Sequence, residues 1–313
     1  MLTLPSIAQI ALCTSDLPRS IALFKRAFGF ADARGEAVCG HHLAEIQALG
    51  NDASTLVWWL PGARPFTQLE LFQHIDPPQR PLPATWRPSD PGWVRWGMHV
   101  ADLDACLEGL RRGGISPITE PAVVDGRERF CFRDPWVGNV VEVISQPAPD
   151  PENAGPALAY AALSVSDLDA ARRFWLTDLG LPEDSGFRID DDRQTLWGLT
   201  GATADAFAVR LNDIRIEIIS YHDRSGATRS GRLLSDQGMM NIGLGFRERE
   251  PLERLVARLI ERGHETTVPL GPGLPAATYA WGPENISIEL LCVPEHQDAL
   301  VGFLPRNDSP LFG

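Results

Sequence analysis

Lysine is almost absent: Lys25 is the only one in 313 residues, and helical spacing puts it on a polar face. Schiff-base and pyridoxal chemistry therefore lack a candidate residue. The sequence also has no GxSxG elbow, no P-loop and no dinucleotide glycine fingerprint, which removes the common serine-nucleophile and nucleotide-cofactor schemes. The five cysteines, Cys13, Cys39, Cys106, Cys131 and Cys292, are odd in number and lack CxxC spacing. Neither a disulfide framework nor a cysteine zinc site is indicated. No stretch approaches the roughly 20 apolar residues of a membrane span, and the opening MLTLPSIAQI lacks a charged n-region. A cytoplasmic location is the expectation. Basic clusters are missing as well, and a formal charge of −13 repels phosphate backbones and anionic membranes. Neither nucleic acid nor membrane is expected as a partner.

What is present is a repeat. Thr14 to Phe30, TSDLPRSIALFKRAFGF, returns as Val165 to Leu181, VSDLDAARRFWLTDLGL, with Asp16 and Asp167 in matched places. Duplication of a whole supersecondary unit is implied. In each copy a strand (Ile7 to Cys13, Ala159 to Val165) runs into a helix whose aspartate caps free N–H groups and whose apolar positions step by three and four. Gly29 and Gly180 stop the helices. Alternation turns Ile10 and Leu12 toward the helix, and Gln9, Ala11 and Cys13 away from it.

The same plan recurs twice more. In the first half, a strand at Trp93 to Val100 and a helix at Asp102 to Arg112 begin a second unit, which ends with strands around Phe130 and at Val140 to Ile144. Before it, HHLAEIQALG (41 to 50) reads as a short helix or loop, Thr55 to Leu60 and Phe66 to Gln73 as strands, and residues 76 to 92 as a proline-rich extended connection. A linker at 146 to 157 then divides the chain, a third unit runs from Leu158 to about Tyr221, and a fourth from Asn241 to Val293. Two domains are expected, 1 to 147 and 157 to 295, followed by a loose tail, 296 to 313.

Four β-α-β-β-β units with capped helices and a glutamate in each last strand resemble the vicinal oxygen chelate superfamily, which includes glyoxalase I, extradiol dioxygenases and bleomycin-binding proteins. The motifs that carry the resemblance are SDLPRSIALFKRAFGF, SDLDAARRFWLTDLGL, FRDPWVGNVVEVIS and WGPENISIELL. It implies an α+β fold in which units pair so that their sheets form clefts, with metal ligands on leading and last strands. Carried over, those positions are Gln9, Arg95, Tyr160 and Asn241 on leading strands, and Glu70, Glu142, Glu217 and Glu289 on last strands. None of the leading positions is histidine.

Pairing within each half would gather Gln9, Cys13, Glu70, His74, Arg95, His99 and Glu142 in an N-terminal cleft. An Arg95 aimed at a divalent ion there would be repelled by roughly 8 kcal/mol, so no metal cofactor is expected. A divalent ion would be held, if at all, by Gln9, Glu70, Glu142 and a substituting His99. The leading reading is a lyase- or isomerase-type enzyme acting on a small, largely apolar, oxygenated substrate, aromatic or polycyclic. In it Arg95 grips a substrate oxygen, Glu70 or Glu142 is the general base, and His99 assists; Gln9, His74, Trp59 and Trp93 line the pocket. The alternatives are an extradiol-type dioxygenase with unusual ligands and a metal-free sequestering protein. Structural readings stand beside these: Arg95 between Glu70 and Glu142 as an ion network, His41-His42 as a solvated pair, and most of the tryptophans as core. A small-molecule substrate is the expected partner, with a homodimer left open.

Overall fold

The computed structural model describes residues 3–50, 52–146, 155–223 and 231–306. Positions 147–154 of the expected linker and 307–313 of the expected tail lie outside these. The first unit comprises β1 (Ser6–Cys13), α1 (Leu17–Phe28), β2 (Arg34–Gly40), α2 (His41–Ile46), β3 (Ala53–Pro61) and β4 (Gln68–Asp76). The second comprises β5 (Gly92–Val100), α3 (Leu103–Arg112), β6 (Ala122–Val124), β7 (Arg127–Arg133) and β8 (Val140–Ser145). The third comprises β9 (Ala157–Ser164), α4 (Leu168–Arg172, continued by a π-helical turn), α5 (Asp191–Leu196), β10 (Ala204–Leu211) and β11 (Ile214–Tyr221). The fourth comprises β12 (Gly238–Phe246), α6 (Arg249–Glu261), β13 (Ala276–Trp281) and β14 (Ser287–Cys292). In units three and four the strand after the first helix shrinks to one bridge, Glu183 to Val209 and Thr266 to Ala280.

The caps form as the sequence predicts. Asp16 accepts from the Arg19 N–H at 3.1 Å, Asp102 from Ala105 at 2.9 Å and Asp167 from Ala170 at 2.8 Å. Each satisfies a helix-end donor that has no partner within the helix. Gly29, at φ 78°, ends α1 in the left-handed region. Ile10 and Leu12 join the main core, where Phe24 of α1 meets Trp96 and Phe28 stacks on Phe132. Ala11 and Cys13 face the other way.

The units pair differently from the expectation. One seven-stranded sheet runs β13-β14-β12-β1-β4-β3-β2 and the other β10-β11-β9-β5-β8-β7-β6. Unit one is therefore joined to unit four through β1 and β12, and unit two to unit three through β5 and β9. The fold is α+β, four units in two paired modules, but neither sheet belongs to one half of the chain. Among the described residues no helix is long and apolar enough to cross a membrane.

The tail also departs from its reading as loose. Asp298 is gripped by both guanidinium nitrogens of Arg247, Phe303 packs 4.7 Å from Phe66, and Arg306 N–H donates to the Asp32 carbonyl at 2.7 Å. The short apolar run Leu300, Val301, Phe303 and Leu304, interrupted by Gly302, gives no periodic signal, yet Phe303 is only 4% exposed.

Candidate active site

The first sheet carries an open cleft of about 370 Å³. Its floor follows from register. Glu289, Gly243, Gln9 and Gln68 lie in one row across β14, β12, β1 and β4, and Glu70 is two residues beyond Gln68, on the same face. Gly243 has no side chain, so Gln9 spreads over it and reaches Glu289; a Cβ there would lie 2.6 Å from Gln9 Cγ. The Gln9 Nε2 amide donates to Glu70 Oε2 at 2.8 Å and to Glu289 Oε2 at 2.5 Å. Two glutamates from opposite ends of the chain are bridged by one amide.

Other side chains fix this pair. The Trp59 indole N–H donates to Glu70 Oε1 at 2.9 Å, and Gln68 Nε2 holds the Gln9 carbonyl at 3.2 Å. The walls are mostly apolar, from Ile46, Val268, Leu291, Val301 and Phe303, with His42 at the edge. Burial pushes Glu70 up to about 7, although the Trp59 N–H favours its ionised form. Burial and the Glu70 charge together push Glu289 well above the usual carboxylate range. The floor thus holds one carboxyl group poised near neutrality beside one that keeps its proton.

The second sheet repeats this plan with the floor filled. Tyr160 stands where Gln9 does, over Gly97, where a Cβ would sit 2.3 Å from its ring. Its hydroxyl donates to Glu142 at 2.5 Å, and Glu142 also accepts from Trp197 Nε1 at 2.8 Å and Arg129 at 2.9 Å. Arg95, fully buried, lies 3.4 Å over the Trp197 ring, donates to Tyr221 at 3.2 Å and sits 3.6 Å from Glu217, which Arg193 also binds at 2.7 Å. Burial alone would raise Glu142, but the Arg193 and Arg129 charges hold it below the usual range. These groups form an ion network whose floor is closed to ligand.

Sequence reasoning is corrected accordingly. Arg95, Glu142 and His99 are not in the cleft of Gln9 and Glu70; they belong to the other sheet, because each leading strand pairs across the halves of the chain. For the same reason the alternative metal set Gln9, Glu70, His99 and Glu142 is not assembled. Trp93 lies in the core, its N–H on the Ser287 carbonyl at 3.2 Å and its ring edge-on to Trp175. His74 shares the face of Glu70 but is enclosed, 4% exposed, with Nε2 2.8 Å from Gln47 Oε1. Burial lowers its pKa to about 4. Gln9, Glu70 and Trp59 do come together. Missed were the partnership of Gln9 with Glu289, the walls from Val301 and Phe303, and the plug formed by Arg193 and Trp197. Gly243, with Gly245 two residues on in the same strand, was the local sign of a close approach.

Metal chelation is implied by the superfamily. The objection from Arg95 falls away, since among the described residues no guanidinium lines the cleft of Gln9 and Glu70. Asn241 is fully buried and shares the face of Gly243, with the Tyr279 hydroxyl as its hydrogen-bonding neighbour. Gln9, Glu70, Asn241 and Glu289 offer oxygen donors only, which suit a hard divalent ion such as Mg²⁺ or Mn²⁺ and not the two-histidine triad of Fe(II) oxygenases.

Comparison with known proteins agrees with this architecture. Residues 8–132 match the Glyoxalase/Bleomycin resistance protein/Dioxygenase superfamily. Glyoxalase I from Zea mays superposes with a TM-score of 0.61 at 17% identity, covering 92% of each chain. A proposed dioxygenase from Bacillus subtilis superposes at 0.59 with 13% identity, covering 97% of this chain and 88% of that one. At these identities the likeness is one of fold. A 2-epi-5-epi-valiolone epimerase from Actinomyces sp is 38% identical over 94 residues, 28% of this chain and 49% of that protein. The match spans about half the length of that relative. By sequence the likeness to this superfamily covers residues 8–132, and by fold the likeness to glyoxalase I extends over nearly the whole length of the chain.

Proposed function

We propose that the protein is an isomerase of the epimerase type, moving a proton at a carbon next to a carbonyl group in a small oxygenated substrate. The observation that carries this reading is the pair Glu70 and Glu289, bridged by Gln9 on the floor of an open, apolar-walled cleft. Glu70, as carboxylate, takes the proton from carbon while Glu289 gives its own to the carbonyl oxygen, producing an enol. Reprotonation on the opposite face of the carbon by a proton from solvent inverts the centre, and return of the hydroxyl proton to Glu289 with loss of the Glu70 proton to solvent completes the cycle. Gln9 and Trp59 keep the carboxyl groups aimed, and Leu291, Val301 and Phe303 make the wall beside them apolar, which strengthens their electrostatic effect. A divalent ion held by Gln9, Glu70, Asn241 and Glu289 would polarise the substrate oxygens.

The epimerase relative supports this class of chemistry, and the compound in its name is the first substrate to try. Purified protein incubated with 2-epi-5-epi-valiolone, with and without Mg²⁺ or Mn²⁺, should invert one stereocentre, followed by NMR. Failure to convert it in either condition removes that compound, and failure across related cyclic ketones sinks the isomerase reading.

A further inference from the structure

A second cavity, of about 450 Å³, lies on the other sheet, on the same face as the filled floor of Tyr160 and Glu142. In a chain of charge −13 its lining holds six arginines: Arg127, Arg129, Arg188, Arg193, Arg210 and Arg215. Against them stand three aspartates: two are engaged elsewhere, and one, Asp125, is paired with the lining Arg129. Asp190 caps α5 through the Arg193 N–H at 2.8 Å, Asp125 lies 3.4 Å from Arg129, and Asp213 lies 3.8 Å from Arg64.

The arginines fall into two groups. Arg129 and Arg193 are tied to Glu142 and Glu217 beneath, and Arg210 and Arg215 share Asp184 at 2.8 and 3.0 Å. They are held in place by their partners. Arg127 and Arg188 have no carboxylate within 4.0 Å among the described residues: Arg127 reaches only His99 Nδ1 at 3.4 Å, and Arg188 only the carbonyls of Ser185 and Phe187. Arg193, 3% exposed, leaves its Nε without a partner. His99 on the same wall is held down at about 4 by burial and then by the charges of Arg127, Arg64 and Arg129.

We propose that this cavity is a second binding site, for a small molecule bearing a phosphate group. Guanidinium groups match the fork of phosphate oxygens, and two of them, Arg127 and Arg188, stand ready without a competing carboxylate. The closed floor keeps the ligand from Glu142 and Glu217, so the site binds and does not turn over. Phosphate chemistry could arrive as the free ion or as an ester, and the cavity has room for the organic part of an ester.

Calorimetric titration of the full chain at low salt, with inorganic phosphate and separately with glucose 6-phosphate, tests this. At least one should bind saturably, one per chain, and weaken as salt rises; tighter binding of the ester identifies an ester as the ligand, and equal binding the free ion. Arg127→Gln and Arg188→Gln should each weaken binding tenfold or more, and Gly186→Asp, which adds a carboxylate to the wall without removing a contact, should do the same. Arg112→Gln, an exposed site elsewhere, should leave binding unchanged. Absence of saturable binding with both compounds, or binding that the three cavity variants leave unaltered, overturns the proposal.

Discussion

At the scale of single residues, the same amino acid acts differently according to what surrounds it. Glu70, Glu142, Glu217 and Glu289 occupy equivalent last-strand places, yet arginines neutralise two while the other two have only an amide and an indole for company. In the proposed reaction that division decides which sheet handles the proton. His74 shows the stability side of the same physics. Its folded pKa is about 4 against an ordinary 6.5, so the unfolded chain binds more protons between those values. The stability it contributes is complete above pH 6.5 and lost as pH falls toward 4, a loss of about 3 kcal/mol. His74→Gln, which can still donate to Gln47, should therefore lose less stability than the wild type on acidification from pH 7.5 to 4. Denaturant melts across that range read the difference; parallel curves for the two proteins would contradict the shift.

At the scale of elements, capping and periodicity made the helices and leading strands legible. Asp16, Asp102 and Asp167 each cap as their positions announce. β2 was not legible: RGEAVCG is an edge strand with exposed positions and two glycines, which carries no alternation to read. Register was illegible too, because facing residues on β1, β12 and β14 are far apart in sequence. Gly243 tests that register directly. Gly243→Ala would push a methyl group into Gln9, displacing the amide from between the glutamates and cutting activity tenfold or more while the protein stays folded, as judged by circular dichroism. Unchanged activity in a folded Gly243→Ala protein would mean that Gln9 does not hold the pair.

At the scale of the whole molecule, the sequence repeat pointed to two half-chain domains, and the strand pairing crosses between the halves instead. Each leading strand is apolar on its core face, so hydrophobic pattern alone permits any two of them to pair. The structure pairs β1 with β12 and β5 with β9, and this moved half of the candidate residues out of the cleft. Residues 1–146 and 155–306 made as separate chains should then copurify as a one-to-one complex when coexpressed. Two stable monomers that ignore each other would contradict the crossed pairing.

In the proposed reaction Glu70 and Glu289, not Glu142 and Glu217, handle the proton. The most direct measurement is deuterium incorporation into a converted substrate in D₂O, followed by NMR for the wild type and single Glu→Gln variants. The wild type should incorporate deuterium at the carbon beside the carbonyl. Glu70→Gln and Glu289→Gln should each slow that exchange by roughly 10²-fold or more, and Glu142→Gln, if folded, should leave it within a few-fold. Exchange that survives in both Glu70→Gln and Glu289→Gln but is lost in a folded Glu142→Gln protein would contradict the account and place the chemistry on the other sheet.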